Sequence, residues 1–235
     1  MLSLLRSIYS AHNEQTRDRW VIEQLQALEP SKKLLDAGCG TQPYRQYCQH
    51  LEYAAQDFGG YNGSGDGDHL QTSAFQYGKL DYKGDIWDID EKDGNFDCIL
   101  CTEVLEHIPY PEKTLFEFTR LLKKGGVLIL TAPYCCIPHM TPYFFSSGFA
   151  EEFYKHFLAE AGFQIESINQ NGNAFLYLLQ EFNRSRQFIK NPILKLLYTF
   201  GFIIFGPLLK LLGLSPAADA KALHFGYHVK AVKRS

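Results

Sequence analysis

No internal repeat and no low-complexity tract interrupts the 235 residues, which excludes a solenoid or other repeat array. Net charge is small: 23 basic and 26 acidic side chains leave a formal −3, without the basic surplus that draws nucleic acid. No secretory signal is expected, because the short apolar patch before Tyr9 is broken by Arg6 and falls short of a hydrophobic core of about 7 to 15 residues. The most apolar stretch, Leu196 to Leu209, runs 14 residues without a charge, below the roughly 20 needed to cross a bilayer, and Gly206-Pro207 is expected to break any helix there. Six cysteines are scattered through a chain too long to need stapling, so a reduced, cytoplasmic setting is expected.

What is present is enough apolar matter for a core. Hydrophobic residues make up 46% and aromatic ones 14%, which excludes a largely disordered chain and suits one large domain. Charge is unevenly spread. Between Phe182 and Ala218 there is no acid, while Arg184, Arg186, Lys190, Lys195 and Lys210 give +5.

Hydrophobic spacing organises the chain. Residues 13–28 read as an amphipathic helix with Trp20, Val21, Leu25 and Leu28 on one face. Short strands are expected at 33–36, 52–57, 82–86, 96–101, 127–131 and 163–168, with a last strand at 224–233. Helices are predicted from Tyr44, from Pro111 to the Lys123-Lys-Gly-Gly126 cap, and from a Ser146 or Ser147 cap through Phe149, Phe153 and Phe157 to Gly162. This alternation predicts an α/β fold, Rossmann-like and doubly wound, with a mostly parallel seven-stranded sheet and helices on both faces. We divide it into a lead-in (1–30), a cofactor-binding core (31–174), a hydrophobic helical insertion (175–218) and the last strand (219–235) of a single domain.

In such sheets ligands sit beyond the carboxyl ends of the strands, where the first strand-to-helix turn offers free backbone amides. Asp36-Ala-Gly38-Cys-Gly40 occupies that turn, and its glycines let the chain bend sharply against a ligand. Pro43 stands where the dinucleotide fingerprint wants a third glycine, which counts against NAD. Asp57 ends the next strand, 21 residues after Asp36, where a carboxylate accepts hydrogen bonds from ribose hydroxyls. Cys98 and Cys101 spell C-x-x-C, but residues three apart on a strand face opposite sides, so they do not chelate one ion. Asp66 and Asp68, in the glycine-rich loop 58–68, lack the spaced oxygen ligands of a calcium loop, and no metal is expected.

Leu34-Leu-Asp-Ala-Gly-Cys-Gly-Thr41, Asp57, Gly84-Asp-Ile86, Phe96-Asp-Cys-Ile-Leu-Cys-Thr-Glu-Val-Leu-Glu-His-Ile-Pro109 and Leu121-Leu-Lys-Lys-Gly-Gly-Val-Leu-Ile-Leu130 stand in that order along the chain. Over roughly residues 31–170 the sequence thereby resembles the class I S-adenosylmethionine-dependent methyltransferases, of the type 11-like kind. The resemblance implies S-adenosylmethionine as cofactor. It places Gly38 and Gly40 against the methionine part and gives Asp36 support of the loop and the amino group. Asp57 would hold the ribose and Asp85 with Ile86 the adenine, while Thr102 and Glu103 would line the methyl-donor end.

Two histidines stand on loops at the same edge, His107 after the fourth strand and His139 after the fifth. Histidine titrates near neutrality and suits a base for a hydroxyl acceptor; His139 is the better candidate for that chemistry, since His107 belongs to a Val-Leu-Glu-His pattern that equally suits a structural or cofactor-side role. The segment Pro138-His-Met-Thr-Pro-Tyr-Phe-Phe145 resembles a substrate-side loop of methyltransferases in polysaccharide and glycolipid pathways. Where those relatives carry Asp-Tyr-Phe-Arg, this chain reads Tyr143-Phe-Phe-Ser146. The expectation is methyl transfer to a small-molecule, sugar or lipid-linked acceptor, with a non-catalytic cofactor-binding sensor or scaffold as the alternative. The basic, apolar segment 182–214 is expected to meet an anionic membrane interface, the protein's own core or the partner of a homodimer.

Overall fold

The computed structural model describes residues 11–67, 69–72, 74–215 and 222–234; Asp68 lies outside them. The chain divides into two compact units, Arg17–Asn169 with Gly226–Ser235, and Met1–Thr16 with Gln170–Phe225.

The first unit is built on one sheet in the order β3-β2-β1-β4-β5-β7-β6. Its strands are β1 (Lys33–Ala37), β2 (Glu52–Asp57), β3 (Tyr82–Lys83), β4 (Phe96–Thr102), β5 (Leu122–Pro133), β6 (Phe163–Asn171) and β7 (Gly226–Lys233). Strands β3, β2, β1, β4 and β5 pair in parallel, and β7 runs antiparallel to β5. Order reverses between β1 and β4, the switch point at which a doubly wound sheet opens a crevice.

Side-chain alternation splits the core in two. Leu34, Cys98, Leu100 and Ile129 pack with Val21 and Leu25 of helix α1 (Asn13–Gln26). Leu35, Ile99, Cys101, Leu128 and Leu130 face the other way, against Leu115 and Phe118 of α2 (Pro111–Leu121) and Tyr154 and Leu158 of α3 (Glu151–Glu160). Cys98 and Cys101 thus lie on opposite faces, as their spacing requires.

Four local expectations are corrected. The helix from Tyr44 is only a 3-10 turn, Arg45–Tyr47, because the chain must re-enter the sheet at Glu52 and has no length for more. Strand β3 has two residues instead of five. Lys123-Lys-Gly-Gly126 does not close α2: Leu122 switches to extended backbone and begins β5, while Gly125, at φ +74°, sits where the β4–β5 register slips. Neither Ser146 nor Ser147 caps α3, whose N-cap is Ala150; Phe149 precedes the helix, tied by its amide to Pro133 O at 2.8 Å and packed on Phe153.

The second unit is a helical hairpin, α4 (Ala174–Ser185) and α5 (Pro192–Leu214). Asn173 caps α4 by accepting from Leu176 N, and donates to Gly213 O at 2.7 Å. Phe182 packs on Tyr198 and Phe202, while Leu176 occupies the space beside Gly213, so the helices run antiparallel. Pro207 does not break α5, which stays continuous for 23 residues. Proline removes one intrahelical bond, but packing on α4 from both sides of Pro207, through Phe202 and Gly213, holds the two halves in line. The helix therefore exceeds the 14-residue apolar run and is long and apolar enough to cross a membrane.

Candidate active site

The bend after β1 is fastened to the end of β2. The amides of Gly38 and Cys39 both donate to Gln56 O at 2.9 Å, Gly38 N also reaches Gln56 Oε1 at 3.1 Å, and Gly40 N donates to Asp57 Oδ2 at 3.0 Å. Gly38 and Gly40 have φ of +72° and +51°, backbone that a side chain disfavours, and a Cβ on Gly38 would meet Val104 Cγ2 at 2.5 Å. This corrects the expectation of free amides at the turn. They are consumed by β2, and no full helix N-terminus follows them.

Asp57 is buried, and its other oxygen accepts from Gly59 N at 3.0 Å. Burial lifts its pKa above the usual carboxylate value, against the lowering effect of the Gly59 and Gly40 amides. A carboxylate offers about four acceptor positions. The Gly40 and Gly59 amides take two of them, and the Phe58 amide and Tyr77 hydroxyl also bond to the group, so a ligand hydroxyl would take the place of the Tyr77 contact.

Beside this bend lies a cavity of about 460 Å³. Gly38, Gly40, Asp57, Asp85, Ile86, Thr102, Glu103 and His107 all line it, so eight residues drawn from four separate segments meet at one place. Of the neighbouring acids, Asp85 reaches the cavity, whereas Asp81 is turned to Ala55 N at 3.0 Å. Two chosen residues do not line it. Asp36 is buried, accepts from Tyr53 OH at 2.5 Å, and is pushed up to about 7 by burial, with Tyr53 opposing and Asp57 adding to the shift. His139 stands behind His107, ring to ring at 4.7 Å.

The two imidazoles have assignable tautomers. Nδ1 of His107 lies 2.6 Å from Tyr143 O and Nδ1 of His139 lies 3.0 Å from Ile137 O; a carbonyl only accepts, so each Nδ1 carries the hydrogen and donates it. In both rings the basic nitrogen is therefore Nε2. Burial, then His139, lowers the His107 pKa to about 4, so its ring is neutral at pH 7. Glu106 Oε1 is 3.7 Å from His107 Nε2, and burial with Glu103 nearby holds the Glu106 carboxyl well above its usual pKa. Ligand-type atoms of Glu106, His107 and His139 lie within 4.8 Å of one another, a cluster that linear spacing does not reveal.

Glu103 adopts φ +53°, unusual for a residue with a side chain. It is held there by its amide on Thr131 O and by Thr131 Oγ1 donating to its carboxylate, both at 2.9 Å. Arg17, on the cavity wall, reaches Glu103 at 3.6 Å. Sequence reading passed over Arg17, Gln56 and the aromatic lining from Tyr61, Phe75, Tyr77 and Trp87, whereas Tyr143 comes from the segment expected on the substrate side. The signal for Arg17 was there: it precedes Val21 and Leu25 by four and eight residues, a charge on the buried stripe of α1.

A switch-point cavity with a glycine bend on one wall, a carboxylate beside it and aromatic rings around it fits a nucleoside-bearing cofactor. Fold and site together define an S-adenosylmethionine-dependent methyltransferase domain. Residues 9–168 match the family described as "Methyltransferase domain", and the chain belongs to that family. Its cofactor is S-adenosylmethionine. The chain is also similar to an S-adenosylmethionine-dependent methyltransferase from Mesorhizobium loti (TM-score 0.56, 11% identity, 92% of this chain and 98% of that one). It resembles Haemonchus contortus phosphoethanolamine N-methyltransferase 2, solved with S-adenosylmethionine (TM-score 0.51, 16% identity, 94% of this chain and 53% of that one). A ubiquinone biosynthesis O-methyltransferase of Xanthomonas oryzae pv. oryzae is 46% identical over 41 residues, a match spanning 17% of either chain.

Proposed function

We propose that the protein moves a methyl group to an oxygen of a sugar, lipid-linked glycan or other small hydrophobic acceptor. The observation that carries this reading is His107: it lines the cofactor cavity beside Thr102 and Glu103, and its Nε2 is the nitrogen able to take a proton. Loop geometry supports an acceptor side here, since Met140, Tyr143 and Phe145 of the segment after β5 line the same cavity. A short stretch shared with an O-methyltransferase leans the same way. A lipid-linked acceptor suits a chain carrying an exposed apolar helix.

When bound, the cofactor supplies an electrophilic sulfonium methyl. The chain's part is to hold it, orient the acceptor, exclude water and take a proton. Asp57 would hold the ribose, and Asp85 with Ile86 the adenine. Gly38 and Gly40 would face the methionine part. His107 would take the acceptor's proton on Nε2, with His139 either backing that ring or meeting the acceptor itself. Aromatic walls exclude water, and positioning of this kind contributes up to ~7 to 11 kcal/mol in well-oriented systems.

The test is release of S-adenosylhomocysteine with three acceptor panels: soluble sugars, small phenols and polyprenyl-linked glycans. Turnover with any panel supports transfer, and preference for the lipid-linked one supports the finer reading. Tight cofactor binding with no product from any panel would replace the enzyme with a cofactor-binding sensor or scaffold.

A further inference from the structure

We propose that the α4–α5 hairpin is an in-plane anchor for an anionic membrane surface, with the outward face of α5 in the boundary between headgroups and acyl chains.

The face is defined by packing. Phe202, Gly206 and Gly213 are the buried residues of α5, and with Tyr198 they form the side turned to α4. At 100° per residue, the rest of the circumference, roughly 200° wide, carries only apolar side chains among its exposed large residues. Its centre line is Ile193, Leu197, Phe200, Ile204, Leu208 and Leu211, each between 50% and 68% exposed. That surface is on the order of 1,000 Å², against roughly 300–600 Å² for the largest apolar patch of a typical soluble monomer. A helix apolar over so wide an arc, yet unburied, calls for an apolar medium.

Charge selects the occupant. From Phe182 through Ala218 the chain has no acid, and five basic residues lie in the stretch. Arg184 pairs with Glu181 at 2.9 Å; Lys195 and Lys210 sit on α5 itself, at positions that project toward its α4 side. A second copy on this face would bring a segment with no acid to answer that charge. An anionic bilayer complements it, and each basic residue near such a surface strengthens binding by about fivefold.

Connectivity sets the orientation. Strands β6 and β7 belong to one sheet, so the segment between them leaves and returns on the same side of any membrane. A second crossing would fall to α4, whose 12 residues span about 18 Å against a hydrocarbon core of roughly 30 Å. Helix α5, about 34 Å long, therefore lies along the surface.

Flotation of the full chain with vesicles tests this without any acceptor, so its failure leaves methyl transfer standing. Wild type is expected to float with phosphatidylcholine–phosphatidylglycerol vesicles, to float poorly with phosphatidylcholine alone, and to be released by a high-pH carbonate wash. L197E/I204E changes two exposed positions and is expected to stay in the aqueous fraction, at least tenfold less bound, with cofactor affinity and melting temperature unchanged. K195Q/K210Q is expected to lose about 25-fold in binding to the anionic vesicles. Wild type remaining in the aqueous fraction with both vesicle types would overturn the proposal. Retention after the carbonate wash would overturn the in-plane geometry. A concentration-dependent dimer that L197E/I204E dissolves, without flotation, would assign the face to a second copy.

Discussion

The amide of Gly40 donates to the Asp57 carboxylate across 3.0 Å, so the bend after the first strand and the acid ending its neighbour are one unit. Asp57 therefore has two tasks, holding the loop through Gly40 and Gly59 and presenting acceptors to the cofactor. Asp57→Ala removes both and leaves two amides unanswered; Asp57→Asn keeps the size and one acceptor. Calorimetry with S-adenosylmethionine is expected to show a loss of about 1.5 to 3 kcal/mol for Asp57→Ala, the range for hydrogen bonds to a charged group, with Asp57→Asn between it and wild type. Three equal affinities would remove Asp57 from the cofactor site.

Gly38 offers a second test, because its two constraints separate. A methyl group there meets Val104 Cγ2 at 2.5 Å and must also accept φ +72°. Gly38→Ala is expected to destabilise by about 2 kcal/mol or more and to weaken cofactor binding. Val104→Ala in the same chain relieves the contact but not the dihedral, so the double variant should recover part of the melting temperature. Purely additive losses would show that Val104 is not the obstacle.

Much of this site is legible in the linear chain because its determinants are local. The glycines at 38 and 40, the acid at 57 and the Thr102-Glu103 pair all stand at strand ends, and strand ends are set by hydrophobic periodicity. Asp36 shows where that stops: strand position put it at the ligand edge, but its partner is Tyr53 on the neighbouring strand, a pairing fixed by sheet register. The cluster of Glu106, His107 and His139 depends likewise on two loops meeting across the sheet top. Helix ends fared worst. Lys123 to Gly126 has the composition of a helix stop, yet sheet pairing at Leu122 claimed the chain first. Pro207 carried a strong local penalty that packing on both of its sides overrode.

The roles of the two imidazoles separate in the pH profile. Because His107 is lowered to about 4, kcat/KM relying on its Nε2 should stay level from neutrality down to about pH 5 and fall below that. His107→Gln is expected to cut kcat by about 10²- to 10⁴-fold and abolish that acid limb, with cofactor affinity within about threefold of wild type. A limb that survives His107→Gln and vanishes in His139→Gln would move the proton transfer to His139. Survival in both variants would remove histidine from the chemistry.

His228 and Asp36 pull stability in opposite directions with pH. The His228 ring stacks on Trp20 at 4.8 Å, its Nε2 is buried with no hydrogen-bond partner among the described residues, and burial, then Arg17, lowers its pKa from 6.5 to about 4. Between those values the unfolded chain binds a proton that the fold refuses. Its contribution is therefore intact above pH 6.5 and is lost as pH falls toward 4. Asp36, raised to about 7, keeps its proton in the fold while the unfolded chain has lost it, so its contribution declines as pH rises from about 4 to 7. Neither is visible in a single wild-type curve, where they partly cancel. Urea unfolding of His228→Phe, which keeps the stack and cannot titrate, should gain on wild type by about 2 kcal/mol between pH 7 and 4.5. Asp36→Asn should gain on wild type in the other direction, as pH rises over the same interval. Curves that stay parallel to wild type for both variants would mean that neither group is held away from its ordinary pKa.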